Sequence, residues 1–246
     1  MSTAVLRSQY RHIQIISFDA GFTLIYPDPQ VGEVYTHIAK RFGYSLDKAK
    51  VHTRFVETWT QMNSQNRGRL KDNAQASEQR SFQWWREIFQ QAIGDIISPE
   101  DREPLFNACY HAYASGSYWK IYPDVLETLR DLQSRGYRLV ILSNWDSRLL
   151  RTLRDLKLHT YFEKIYISTL IGHAKPNPGA FLHIVKDLAI PSSALLHVGD
   201  TVEEDIAGAV NAHVRSILVK RQADSPFPDR SVKAVVSLRD LVSLLP

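Results

Sequence analysis

The residues able to do chemistry stand at the ends of apolar runs. Ile13 to Phe18 (IQIISF) is followed at once by Asp19. YRLVILSN ends on Ser143 and Asn144, and ALLHVG runs into Asp200, with Glu203, Glu204 and Asp205 just beyond. Lys175 lies in the loop after KIYIS, at the start of a helical stretch. Carboxylates gathered on one edge repel each other unless something positive joins them. A hard divalent cation with oxygen ligands is the natural partner, and Mg²⁺ commonly keeps several waters beside one or two carboxylates. Ser143, Asn144 and Lys175 offer hydroxyl, amide and ammonium donors, which suit the oxygens of a phosphoryl group. A carboxylate, a metal and phosphate donors together point to phosphoryl transfer through an aspartyl-phosphate.

Such a gathering requires parallel strands, because their carboxyl ends share one edge and ligands collect beyond it. The first run is β-branched and aromatic, as a buried strand is. From 117 onward the chain alternates. PDVLETLRDLQSRG reads as a helix stopped by Gly136, YRLVILSN as a strand, SRLLRTLRDLKL as a helix and KIYIS as a short strand. NPGAFLHIVKDLAI then reads as a helix, ALLHVGD as a strand, VEEDIAGAVNA as a helix and VRSILVK as a strand. This rhythm predicts an α/β fold, a Rossmann-like three-layer core with a parallel sheet. Between the turn-rich segments YPDP and ASGSY the pattern is helical, with apolar residues at three-to-four spacing and no convincing strand. The expected organisation is a core of 1–26 and 117–246 with a helical insertion at 27–116.

Composition narrows the class. The chain has 246 residues, 44% hydrophobic and 11% aromatic, enough for a sizeable core. A net charge of +4 without any Lys/Arg block argues against nucleic-acid binding. The single cysteine, Cys109, allows no intramolecular disulfide and reads as a buried small hydrophobe. No apolar run of membrane-spanning length and no signal core is present, which makes the cytoplasm the default location. The expected partner is a small phosphorylated substrate, neither nucleic acid nor membrane, and the chain is expected to work as a monomer or homodimer.

With these residues in view, the sequence resembles the haloacid dehalogenase-like superfamily, in its subclass with a helical cap after the first strand. FDAGFTL at 18–24 is similar to the first family motif, LSN at 142–144 to the second, Lys175 in HAKPNPGAF to the third and VGDTVEED at 198–205 to the fourth. The nearest resemblance is to the branch typified by rhythmically expressed gene 2 products. The resemblance implies that Asp19 attacks phosphorus and also binds Mg²⁺, with the Gly21 carbonyl and Asp200 as further ligands. It implies that Asp205, with Glu204 beside it, holds metal-bound water. Ser143 and the Asn144 amide would bind phosphoryl oxygens, and Lys175 would neutralise charge between Asp19 and the phosphate.

One departure matters. The family's phosphatases carry a second aspartate two residues after the nucleophile as general acid and base, and here that position is Gly21, followed by Phe22 where the motif usually has glycine. General acid–base catalysis contributes about 10²–10⁴-fold. Its loss favours leaving groups that need no proton, such as acyl or aryl phosphates. Two alternatives follow: a weak or inactive phosphometabolite-binding protein, and a 2-haloacid dehalogenase, whose branch also lacks that aspartate but needs no metal. Bland readings attach to several residues. Arg148, Arg151 and Arg154 recur as a solvated helix face, Trp84 and Trp85 as packing, His37 as a surface histidine, and Asp205 alternatively as a first-turn helix residue.

Overall fold

Strand β1 (Ile15–Phe18) is buried at every residue and pairs in parallel on both sides, so it lies inside the sheet. The computed structural model describes residues 9–69, 76–221 and 232–246. Strands β4 (Arg138–Ser143), β5 (Lys164–Ile167), β6 (Leu195–Gly199), β7 (Arg215–Val219) and β8 (Ala234–Val235) join β1 in a six-stranded sheet of order β5-β4-β1-β6-β7-β8. Every pairing in it is parallel. Phe18 lies level with Ile141 and with Val198. The chain therefore leaves β1, β4 and β6 at one edge, through Asp19, Ser143–Asn144 and Gly199–Asp200.

The period-two alternation of a strand supplies both faces. Ile16, Phe18, Leu139, Ile141, Leu196 and Val198 pack under the helices Val125–Ser134 and Leu238–Leu244. Ile15, Val140, Leu142 and Leu195 face the other way, onto Ala180, Phe181 and Ile184 of the helix Pro178–Asp187 and onto Ala209. Helix Val125–Ser134 ends as expected near Gly136, whose φ of 86° suits a residue without Cβ. The acidic stretch after Asp200 forms a π-helix over Val202–Ala207 rather than an ordinary helix turn.

The helices Val31–Lys40, Lys48–Arg69, Glu78–Ile93 and Pro99–Ala112 make up the inserted helical cap, with their own apolar cluster around Tyr35, Phe89, Phe106 and Cys109. Trp84 packs edge-on against Trp85, which stacks on Phe55. Where the sequence shows no strand, the chain enters and leaves this cap through a two-stranded antiparallel pair, β2 (Ile25–Pro27) with β3 (Trp119–Ile121). Strands of three residues leave too little periodicity to read. Among the described residues no helix is long and apolar enough to cross a membrane.

The cap docks onto the loop that follows β4, and here one expectation is corrected. Arg148 is no solvated residue: its side chain is 10% exposed and grips the fully buried Asp146 carboxylate through Nε and Nη2, both at 2.7 Å. Its Nη1 donates to the Tyr110 carbonyl at 2.8 Å, and Ser81 and Tyr110 of the cap donate to Asp146 Oδ2 at 2.8 and 3.3 Å. Glu78, in the first turn of a cap helix, accepts from Ser147 N and Oγ and from the Thr169 hydroxyl. Arg151 and Arg154 of the same helix are exposed, as expected.

Burial alone would raise the Asp146 carboxyl, but the Arg148 guanidinium outweighs it and holds it below the usual range. A depressed carboxyl stabilises the fold above its unfolded pKa, roughly 3.9, and loses that contribution as pH falls through the folded value. Arg148→Met leaves the carboxylate buried without its counter-ion and is expected to destabilise by about 3–5 kcal/mol at pH 7. The gap between wild type and variant should narrow toward about pH 4, where Asp146 of the variant protonates. Urea unfolding at both pH values measures it; an equal gap at both would refute this account of the pair.

Candidate active site

Asp19 sits at the mouth of the sheet, and two donors converge on one of its oxygens. Ser143 Oγ donates to Asp19 Oδ1 at 2.9 Å and Lys175 Nζ donates to the same atom at 2.8 Å. Among the described residues nothing donates to Oδ2. Lys175, 1% exposed, also donates to Asp205 Oδ1 at 2.6 Å. Burial works against its charge, but the Asp19 and Asp205 carboxylates reverse this and raise its pKa above the ordinary lysine value. It is therefore an ammonium at neutral pH.

Asp205 is the anchor of this lysine. Besides Lys175, its Oδ1 bonds His197 Nε2 at 2.9 Å, while Oδ2 accepts from Thr201 N at 2.9 Å and Thr201 Oγ1 at 2.7 Å. Burial alone would raise this carboxyl too, but Lys175 and His197 hold it well below the usual range. An ionised carboxylate only accepts, so His197 Nε2 carries the proton and Nδ1 accepts from Ser17 Oγ at 2.8 Å. Burial lowers the His197 pKa, which keeps the ring neutral. A buried polar chain thus runs Ser17–His197–Asp205–Lys175–Asp19 behind the site. His197 was missed by sequence reasoning; the signal was a polar ring inside the apolar run ALLHVG.

Gly199 makes room for this anchor. A Cβ there would lie 2.1 Å from Asp205 Cγ. Asp205 cannot yield without breaking its bonds, so Gly199→Ala is expected to destabilise by about 1–3 kcal/mol through overpacking. An unchanged urea midpoint would show that the carboxyl group moves freely.

Asp200 and Asn144 occupy different places from Asp205. Thr23 Oγ1 donates to Asp200 Oδ1 at 3.1 Å. Burial, then the neighbouring Asp19 and Asp205 charges, push the Asp200 carboxyl well above the carboxylate range. The Asn144 side chain clasps the Lys175 main chain, donating to its carbonyl and accepting from its N–H, both at 2.8 Å, and donates to Glu204 Oε2 at 2.9 Å. It faces Lys175 and Glu204 rather than Asp19. Burial pushes Glu204 up to about 7.

Asp19, Asp200, Glu204 and Asp205 thus surround a single buried ammonium, an excess of negative charge that a cation would relieve. Among the described residues no group of three or more His, Cys, Asp or Glu side chains is placed to hold a metal ion. Asp19 and Asp200 are instead a pair of neighbouring hard oxygen donors, of the type Mg²⁺ takes one or two at a time beside its waters. The donor chemistry fits the expected metal.

At Gly21 the structure carries no proton donor. A Cβ built there would lie 3.4 Å from Trp145 Cζ3. Phe22 has a left-handed φ of 54° and is 43% exposed. His37 is exposed on its cap helix.

Comparisons with known proteins bear on the fold and the family. The family model for haloacid dehalogenase-like hydrolases matches residues 13–213. Haloacid dehalogenase-like hydrolase domain-containing protein 3 of Danio rerio is 27% identical over 212 residues, 85% of this chain and 86% of that protein. Glyceraldehyde 3-phosphate phosphatase of Methanopyrus kandleri is 31% identical over 154 residues, 58% of this chain and 66% of that protein. The crystal structure of the HAD-hydrolase YfnB of Bacillus subtilis bound to magnesium superposes with a TM-score of 0.73 at 17% identity, covering 95% of this chain and 98% of that one, a likeness of fold. The chain belongs to the haloacid dehalogenase-like hydrolases.

Proposed function

We propose that this chain is a Mg²⁺-dependent phosphatase acting on a small phosphorylated metabolite through an aspartyl-phosphate at Asp19. The observation that carries the reading is the one-sided hold on Asp19: Lys175 and Ser143 both bind Oδ1, which leaves Oδ2 turned over to attack. Oδ2 attacks phosphorus, the bond to the leaving oxygen breaks, and water then displaces Asp19 and releases inorganic phosphate. Lys175 and Ser143 orient the nucleophile, and Lys175 meets the charge of the phosphoryl oxygens. With the Asn144 side chain engaged elsewhere, its main-chain amide is the phosphate donor of that residue.

Mg²⁺ held by Asp19, Asp200 and the Gly21 carbonyl would supply positive charge to the transferring group. The carboxyl best suited to metal-bound water is Glu204, which among the described residues accepts only from Asn144, whereas Asp205 is filled by protein donors. The glyceraldehyde 3-phosphate phosphatase of Methanopyrus kandleri and the magnesium-bound YfnB support the reading. So do the four stretches that resemble the family motifs, at 18–24, 142–144, Lys175 and 198–205.

A second reading, a phosphometabolite-binding protein with little turnover, is favoured by Gly21. Phosphate release from p-nitrophenyl phosphate or acetyl phosphate, present with Mg²⁺ and lost on chelation, is the expected result. Tight binding of a phosphorylated metabolite with no release would favour the second reading. Halide release from a 2-haloacid, indifferent to chelator, would favour a dehalogenase.

A further inference from the structure

Thr23 links two parts of the proposed metal site. It is fully buried, and its hydroxyl donates to Asp200 Oδ1 at 3.1 Å. The turn that carries it is tight. The Ala20 carbonyl accepts from Leu24 N at 2.9 Å and from Ile25 N at 3.0 Å, and Phe22 N donates to the Ile25 carbonyl at 2.7 Å. Gly21, whose carbonyl is a further ligand in the phosphatase reading on which this inference rests, belongs to the same turn.

Arg221 grips this turn by its main chain. It follows β7 by two residues, and β7 pairs with β6, the strand that runs out into Asp200. Its Nε and Nη2 donate to the Thr23 carbonyl at 3.2 and 2.7 Å. Its Nη1 donates to both oxygens of Asp124, at 2.9 and 2.8 Å. Asp124 Oδ2 in turn accepts from Ser237 Oγ and Leu238 N, both at 2.8 Å. The guanidinium lies over the Tyr122 ring, 4.1 Å from its centroid, and the side chain is 9% exposed. A planar fork engaged on several sides holds the Thr23 carbonyl in place. Threonine is stiff at χ1, so a fixed main chain also fixes where its hydroxyl points.

We propose that Arg221 is a positioning residue for Mg²⁺: through the Thr23 carbonyl it aims the Thr23 hydroxyl at Asp200 and so fixes which oxygen that carboxylate presents to the cation. Asp200 stands among like charges, those of Asp19 and Asp205. Without a donor on one oxygen it is free to turn away from them, and a site that must be reassembled binds its metal less tightly. Groups that orient a metal ligand without touching the metal typically contribute about 10–100-fold to affinity or activity.

The test is the affinity for Mg²⁺ itself, read from the rise in thermal midpoint as Mg²⁺ is added to the substrate-free protein. The Mg²⁺ concentration that half-activates phosphate release is a second readout. Thr23→Val and Arg221→Met are each expected to weaken Mg²⁺ binding about 10–100-fold. Together they should weaken it no more than the stronger of the two, because Arg221 acts through Thr23. Thr23→Ser keeps the hydroxyl and should keep the affinity. Arg221→Lys keeps a cation for Asp124 without the fork; it should still weaken Mg²⁺ binding, and it decides the matter if Arg221→Met does not fold. Ser237→Ala loosens Asp124 from its other side and should lower the metal-free midpoint with Mg²⁺ affinity unchanged. Wild-type affinity in the Arg221 variants that fold, losses that multiply in the double variant, or an equal loss in Ser237→Ala would overturn the proposal. Mg²⁺-dependent phosphate release whose metal affinity ignores Arg221 and Thr23 defeats only this inference. No release from a wild type that binds Mg²⁺ defeats the phosphatase reading instead, and a wild type that does neither defeats both.

Discussion

Asp19→Asn is expected to abolish phosphate release, by about 10⁴–10⁶-fold, the scale seen when covalent machinery is removed. That range corresponds to about 5–8 kcal/mol of barrier. The amide keeps the shape of the carboxyl and an oxygen for Ser143 and Lys175, but it is not a nucleophile. The fold should not suffer. Burial and the nearby Asp205 charge raise the Asp19 pKa in the folded protein despite Lys175. A raised carboxyl pKa means that ionised Asp19 disfavours folding once pH exceeds its unfolded value, so at pH 7 a neutral amide relieves that penalty. The urea midpoint of the metal-free variant should equal or exceed that of wild type. A marked fall in midpoint would mean that the lost activity reports unfolding.

Lys175→Met is the second large effect, and it strikes stability and chemistry together. The ammonium is 1% exposed and bonds Asp19 and Asp205 at 2.8 and 2.6 Å. Methionine matches its length without its charge, and leaves buried carboxylates facing one another. Removing one partner of a buried pair costs about 3–5 kcal/mol. Because the folded lysine pKa is raised, its contribution is complete below the unfolded value of roughly 10.4 and fades only as pH rises through the folded one. The loss should therefore be full at pH 7, where urea unfolding measures it. Phosphate release should fall by a further 10²–10³-fold, roughly the effect of deleting a preorganised charge donor. Wild-type stability in the variant would show that Asp205 is held by His197 and Thr201 alone.

The strand ends were readable because parallel strands buried on both faces are near-continuous apolar runs, and a charge directly after such a run stands out. Asp19, Ser143 and Asp200 were found that way. The β2–β3 neck was not, since three residues give no period. Arg148 was misread for a different reason. A three-residue spacing marks a helix face but not what that face meets, and here only the docked cap decides that Arg148 is buried on Asp146 while Arg151 stays exposed. The division of labour among the acidic residues after Asp200 was hidden because it depends on Thr201 and His197, which fill Asp205 and leave Glu204 nearer to open.

The proposed reaction forms a bond between Asp19 and phosphorus, and acid-quenched, Mg²⁺-loaded protein mixed with acetyl phosphate tests this directly by peptide mass mapping. The predicted result is a phosphoryl group on the peptide containing Asp19, absent in Asp19→Asn and discharged when turnover proceeds before the quench. Phosphate released by wild type with no phosphoryl group on Asp19, or equally by Asp19→Asn, would contradict it.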